Sequence, residues 1–117
     1  MRRDARAYLW DARAAVDHIL EFTRGRSLED YLGDAMLRAA VERQFEILGE
    51  ALNQLRRLAP AIAQRIPELG EIVDFRNLLI HGYATVDDGT VWRTVEDDLA
   101  RLHNQLGDLL SELGEAP

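Results

Sequence analysis

An arginine and a histidine, Arg76 and His81, stand five residues apart in the stretch FRNLLIHGYATVD. Histidine can give and take a proton near neutral pH, and arginine is a fixed cation whose planar group matches a phosphate. RNA carries its own nucleophile, the 2′-hydroxyl, so cleavage of its backbone needs only proton transfer and neutralisation of the charge that develops on the phosphate. The two residue types therefore suit phosphodiester cleavage without a metal ion.

Arg76 also needs an anion. On an ideal helix it lies at the centre of an apolar cluster formed by Leu69, Ile72, Val73, Ile80 and Tyr83. Because a guanidinium keeps its proton, it must meet there either a carboxylate of the chain, such as that of Glu46 or Glu50, or a free phosphate. The first alternative makes Arg76 a structural ion-pair residue, and the second makes it part of an anion site. The residues alone leave both alternatives open.

The spacing of the two residues bears on how a site could form. At 3.6 residues per turn, His81 lies about 140° around the helix axis from Arg76. The two side chains converge only if the helix frays at Gly82 or if a second chain completes the site across a two-fold axis. We favour the second arrangement, which predicts a homodimer.

Hydrophobic periodicity predicts helices along the whole chain, with no strand alternation, repeat or linker. A first helix covers residues 5–23, a capped short turn follows Ser27, and a second long helix runs from Asp34 to about residue 58. A short piece over residues 60–65 precedes the helix that carries Arg76 and ends at Gly82. The chain, residues 1–117, is therefore expected to form one all-α domain, an antiparallel bundle of four to five helices.

Two apolar seams are expected to line the core. In the second long helix the predicted seam consists of Leu37, Val41, Gln44, Leu48, Ala51, Leu55 and Ala59, whereas Gly49 falls on a mostly polar face. Asp87 or Asp88 is expected to cap the last helix. Its seam recurs at alternating spacings of three and four residues: Trp92, Val95, Leu99, Leu102, Leu106, Leu109 and Leu113. This pattern predicts one continuous last helix.

Composition limits the classes of function. The chain has no cysteine, which excludes a disulfide framework and a thiolate metal site and suits a reducing, cytoplasmic location. We expect no metal and no cofactor, because the chain also lacks clustered histidine ligands. The N-terminus has no continuous apolar run of the kind a signal peptide needs, so we expect no membrane association. A net charge of −7 means that any binding of RNA depends on a local group of arginines.

The motif and its surroundings resemble a known family. Arg76, His81 and Tyr83 match the R-x4-H-x-Y signature of HepT-type HEPN proteins, the toxin halves of HepT/MntA toxin–antitoxin modules. The stretches FEILGEALNQL, RNLLIHGY and VDDGTVWRTVEDDL also occur in the order associated with that family, over nearly the whole chain. The resemblance implies a dimeric α-helical bundle that acts as a metal-independent endoribonuclease on RNA. It also implies a partner, an MntA-like nucleotidyltransferase antitoxin that silences the toxin by transferring AMP to the motif tyrosine.

The resemblance also implies roles for individual residues. Arg76 would stabilise phosphate charge, His81 would be the acid and base, and Tyr83 would accept AMP at the rim of the same cleft. Asn77 would orient the cleft, and Glu46 and Glu50 would hold Arg76 in place or contact the partner. The alternative function is a non-catalytic helical partner, or a nucleotide-binding subunit, of a minimal nucleotidyltransferase.

Overall fold

The computed structural model describes residues 4–82 and 86–114, and over these residues the protein is all-α, as predicted. The seven helices in this part of the chain are α1 (Ala5–Thr23), α2 (Leu28–Gly33), α3 (Ala35–Leu58), α4 (Pro60–Ala63), α5 (Leu69–His81), α6 (Asp88–Asp97) and α7 (Leu99–Leu113). The long helix α3 lies at the centre, with α1 packed along it on one side and α5 on another, while α7 packs against α1.

Local capping explains where several of these helices begin or end. The side chain of Asp34 accepts a hydrogen bond from the backbone of Leu37 at the start of α3, and Ser27 and Asp30 form a reciprocal capping box on α2. Asp87, one of the two predicted candidates, caps α6. Gly82 ends α5 with φ 68, a left-handed conformation that glycine adopts without steric cost.

The prediction of one continuous last helix is wrong. The chain breaks between α6 and α7 at Asp98, whose φ and ψ are −113 and −32. The apolar seam nevertheless stays buried on both sides of the break, from Trp92 to Leu109. Hydrophobic spacing cannot distinguish one straight helix from two that bury the same face, because it reports only which side chains point inward. Leu113, the last member of the predicted seam, is exposed.

The prediction for Gly49 is also wrong, because this glycine is buried rather than on a polar face. Helix α3 is covered by α1 and by α5, so its buried surface is wider than the single seam that periodicity predicts. Phe45 and Leu52, both outside the predicted seam, are fully buried.

Within the described part of the chain, no helix is both long and apolar enough to cross a lipid bilayer.

Candidate functional site

A groove of about 270 Å³ runs over α3 and is bounded by α1 and α5. The charged part of its lining comes from all three helices: Asp11 from α1, Arg43, Glu46 and Glu50 from α3, and Arg76 from α5. Ile80, one turn beyond Arg76, adds an apolar side chain. Arg76 therefore lies where the buried face of α5 ends and the solvent-accessible groove begins.

The guanidinium of Arg76 has two partners. Its Nη2 donates a hydrogen bond to Glu50 Oε2 at 2.5 Å, and its Nη1 donates to Asn77 Oδ1 at 2.8 Å. The Nε atom is buried and makes no hydrogen bond with any described residue. The Arg76 side chain is 23% exposed and that of Glu50 is 46% exposed, so water reaches both ends of this ion pair. Glu50 also accepts a hydrogen bond from the Gln54 side chain at 3.0 Å.

Glu46 does not pair with Arg76. Its carboxylate meets Arg43 of the same helix at 3.4 Å and lines the groove one turn away from Glu50. Of the two carboxylates that could hold Arg76, Glu50 makes the contact. The two positions differ by a single turn, so the choice depends on how far α5 lies along α3, which the sequence of α3 does not specify.

The stem of Arg76 crosses α3 at Gly49, a residue whose importance the sequence analysis missed. A Cβ atom placed on Gly49 would lie 2.3 Å from Arg76 Cβ and 2.7 Å from Arg76 Cγ. Only a residue without a side chain allows the two helices to approach this closely. Beside the crossing, the rings of Phe45 and Phe75 pack edge to face with their centroids 5.2 Å apart. The sequence feature that could have indicated this role is the position of Gly49 inside a long helix. A glycine there destabilises the helix by about 0.5–1 kcal/mol relative to alanine, which suggests a compensating contact.

His81 is the last residue of α5 and is exposed. It does not belong to the lining of the groove that contains Arg76. Because α5 stays helical through His81, fraying does not bring the two side chains together in one chain. Completion by a second chain remains a prediction. The predicted position of Tyr83 at the cleft rim falls outside the described residues.

The geometry allows two kinds of role for Arg76. Its pairing with Glu50 agrees with a structural ion pair, and the exposure of both partners agrees with an anion site from which a phosphate could displace the carboxylate. Among residues 4–82 and 86–114, no three His, Asp or Glu side chains are grouped so that they could hold a metal ion.

Comparison with known proteins identifies the family of the chain. The family model described as Ribonuclease HepT-like matches residues 12–109. A probable ribonuclease HepT of Thermococcus cleftensis is 38% identical over 113 residues, which cover 93% of this chain and 98% of that protein. A protein of Methanocaldococcus jannaschii named “Putative RNase” is 30% identical over 109 residues, 90% of this chain and 95% of its own. No solved structure matches the chain.

Proposed function

The chain belongs to the HepT-like ribonuclease family, and on that premise we propose that it is a metal-independent endoribonuclease that cleaves RNA by attack of the 2′-hydroxyl. The observation that carries this proposal is the position of Arg76. Its guanidinium lies at the wall of an open groove and is held there by side chains of α3 and α5.

In the proposed reaction an RNA phosphate replaces the Glu50 carboxylate at Arg76 Nη2. Asn77 keeps the guanidinium in plane through Nη1, so that the cation is already oriented when charge develops on the phosphate. His81 takes the proton of the 2′-hydroxyl or gives one to the departing 5′-oxygen, and water takes or gives the other proton. The 2′-oxygen forms a bond to phosphorus as the bond to the 5′-oxygen breaks, which leaves a 2′,3′-cyclic phosphate and a 5′-hydroxyl.

We propose that two copies of the chain form this site together. Arg76 lines the groove and His81 does not, so a second α5 placed across a two-fold axis would supply the missing histidine. Such a contact would also cover Ile80, an apolar side chain that is 48% exposed and lines the groove beside Arg76.

A cleavage assay tests the proposal. Total tRNA and mRNA are incubated with the protein in EDTA, and the expected products end in a 2′,3′-cyclic phosphate. His81→Ala should lower the rate by roughly 10²-fold or more through loss of the acid and base. His18→Ala is the matched control, since His18 is also an exposed histidine but lies on α1 beside Gln44. Cleavage that requires added Mg²⁺, or equal loss in both variants, would contradict the mechanism.

We further propose that the protein is the toxin of a toxin–antitoxin module, silenced when an MntA-like nucleotidyltransferase transfers AMP to Tyr83. An AMP group seven residues after Arg76 would supply a phosphate that competes with RNA for the guanidinium. The test is co-expression with the neighbouring gene, followed by intact-mass measurement. AMP increments are expected on the wild-type chain and not on Tyr83→Phe. Full neutralisation of the Tyr83→Phe toxin would refute this control mechanism while leaving the nuclease proposal in place.

The Arg76–Glu50 ion pair favours a second candidate, a non-catalytic helical partner or a nucleotide-binding subunit of the nucleotidyltransferase. In that case the chain forms a stable complex with the partner, or binds a nucleotide saturably, and cleaves no RNA. The same cleavage assay separates the candidates. A ribonuclease cleaves RNA and loses this activity in His81→Ala, whereas the second candidate cleaves no RNA in either form.

A further inference from the structure

The groove that contains Arg76 holds a second arginine. Arg43 lies on α3 and is the other cation among the described residues of the groove lining. Its side chain is 67% exposed, whereas that of Arg76 is 23% exposed. The proposed reaction uses Arg76 for the phosphate that is cleaved and gives Arg43 no role. A guanidinium this exposed, on the wall of an open groove, is available to a second anion from solution.

The two guanidinium groups lie about one helical turn apart along α3. Arg43 Nη1 contacts Glu46 Oε1 at 3.4 Å. Arg76 Nη2 donates to Glu50 Oε2 at 2.5 Å. These two glutamates are four residues apart on α3, so their Cβ atoms are about 5–6 Å apart. Because each guanidinium lies beside one of the two carboxylates, the cationic heads have a separation of the same order. Successive phosphates along a single RNA strand are separated by a comparable distance.

The ion pair of Arg43 is easier to exchange than that of Arg76. Its separation of 3.4 Å exceeds the roughly 2.7–2.9 Å of a good charged hydrogen bond, and an exposed ion pair of this kind contributes little to stability. Arg76, in contrast, is held by Asn77 as well as by Glu50. A phosphate that replaces Glu46 at Arg43 therefore disrupts little of the structure.

The shape of the groove favours one strand over a duplex. Helices α1 and α5 bound it on either side, and its volume is about 270 Å³, slightly below the about 300–1,000 Å³ of small-molecule sites. Walls on both sides leave room for one sugar–phosphate backbone and not for a second strand. Proteins that bind single strands commonly follow the backbone with cations placed along a groove.

We propose that Arg43 binds the phosphate next to the one that is cleaved, so that the substrate is a single-stranded RNA with at least two successive phosphates. The inference rests on the proposed function, because it takes Arg76 as the contact to the cleaved phosphate. Arg43 contributes to substrate binding and not to the chemical step. Its loss should raise KM and leave kcat unchanged, since the contact is the same in the bound substrate and in the transition state.

Binding of a single-stranded 2′-O-methyl RNA oligonucleotide tests the contact without cleavage, because this oligonucleotide lacks the nucleophile. Fluorescence anisotropy gives the binding constant of the full chain at increasing salt concentration. Arg43→Gln should weaken binding by roughly tenfold and reduce the steepness of log K against log salt by about 0.7, the value for one phosphate contact on a single strand. Arg43→Lys keeps the charge and should keep the wild-type slope.

Arg56→Gln is the matched control. Arg56 is also exposed on α3 and contacts a side chain three residues away, that of Asn53 at 2.9 Å. It lies about 140° from Arg43 around the helix axis and does not belong to the lining of the groove. The variant removes the same charge from the same helix, and it should bind the oligonucleotide with the wild-type affinity and slope.

The length of the substrate gives a second test. A dinucleoside monophosphate carries only the phosphate that is cleaved, so the wild type and Arg43→Gln should cleave it with equal kcat/KM. On a longer single-stranded RNA, kcat/KM of Arg43→Gln should be roughly tenfold lower, through KM alone.

Four results would overturn the proposal: no saturable binding of the oligonucleotide, equal slopes for the wild type and Arg43→Gln, equal effects of Arg43→Gln and Arg56→Gln, or equally tight binding of a fully paired RNA duplex. A chain that cleaves RNA but gives one of these results keeps the nuclease assignment and loses the role of Arg43. A chain that cleaves no RNA but shows the expected change of slope loses the nuclease assignment and keeps the phosphate contact.

Discussion

Replacing Gly49 with alanine tests how Arg76 is positioned. The new methyl group would lie 2.3 Å from Arg76 Cβ and 2.7 Å from Arg76 Cγ. The closer of the two, Cβ, is fixed by the backbone of α5 and cannot move aside by a rotamer change. Since carbon atoms in contact lie about 3.5–4.0 Å apart, α5 must move away from α3 by about 1.5 Å at this point.

The magnitude follows from two opposing terms. Overpacking of this kind costs about 1–3 kcal/mol, whereas exchanging glycine for alanine inside a helix returns about 1 kcal/mol. The net loss in free energy of unfolding should be about 0–2 kcal/mol, so the variant stays folded. The rate of RNA cleavage should fall by on the order of 10²-fold, because a displacement of about 1 Å in a catalytic group can have an effect of that size.

Gly107→Ala is the matched control. Gly107 also lies within a helix, α7, but nothing is within 4 Å of the position its Cβ would take. This variant should gain up to about 1 kcal/mol in stability and cleave RNA at the wild-type rate. Thermal unfolding and the RNA cleavage rate are measured for both variants. If Gly49→Ala gains stability as Gly107→Ala does, the close contact between the helices does not exist. If Gly49→Ala is less stable than the wild type but keeps full activity, the position of Arg76 does not govern the reaction.

Three further outcomes are expected. Partial burial, with the nearby carboxylate of Asp88, raises the pKa of Glu42 in the folded chain. Between the pKa of Glu42 in the unfolded chain and this raised pKa, the folded chain holds a proton that the unfolded chain has released. The free energy of unfolding therefore falls as the pH rises through this interval. Glu42→Gln should consequently raise the Tm at neutral pH, with the gain vanishing below about pH 4 when thermal unfolding is followed across pH. Ile80→Asp should leave the fold intact and convert the proposed dimer to a monomer in sedimentation velocity; a persistent dimer would place the interface elsewhere. Arg76→Lys keeps the charge but loses the planar, two-point contact with a phosphate, so cleavage should fall at least about tenfold, and an unchanged rate would contradict the proposed role of Arg76.

The sequence predicted those parts of the fold that depend on neighbouring residues. Asp34 and Gly82 mark helix ends through hydrogen bonds and backbone conformation within a few residues, and the structure agrees at both. The site was predicted less completely. An anion for Arg76 was expected, but the choice of Glu50 over Glu46 depends on the offset between α3 and α5, and so does the burial of Gly49. These features arise from the packing of two helices and have no signature in either helix alone.

The carboxylate beside Arg76 has a consequence for competition inside a cell. A phosphate that enters the groove exchanges one anion for another, because Arg76 is already paired with Glu50. A single small anion therefore gains little from the exchange, whereas a long polyanion can add contacts at several points. We expect inorganic phosphate and free mononucleotides to be weak inhibitors even where they are abundant. A guanidinium with its own internal counter-ion would then remain available to a polymer in a solution crowded with small phosphates.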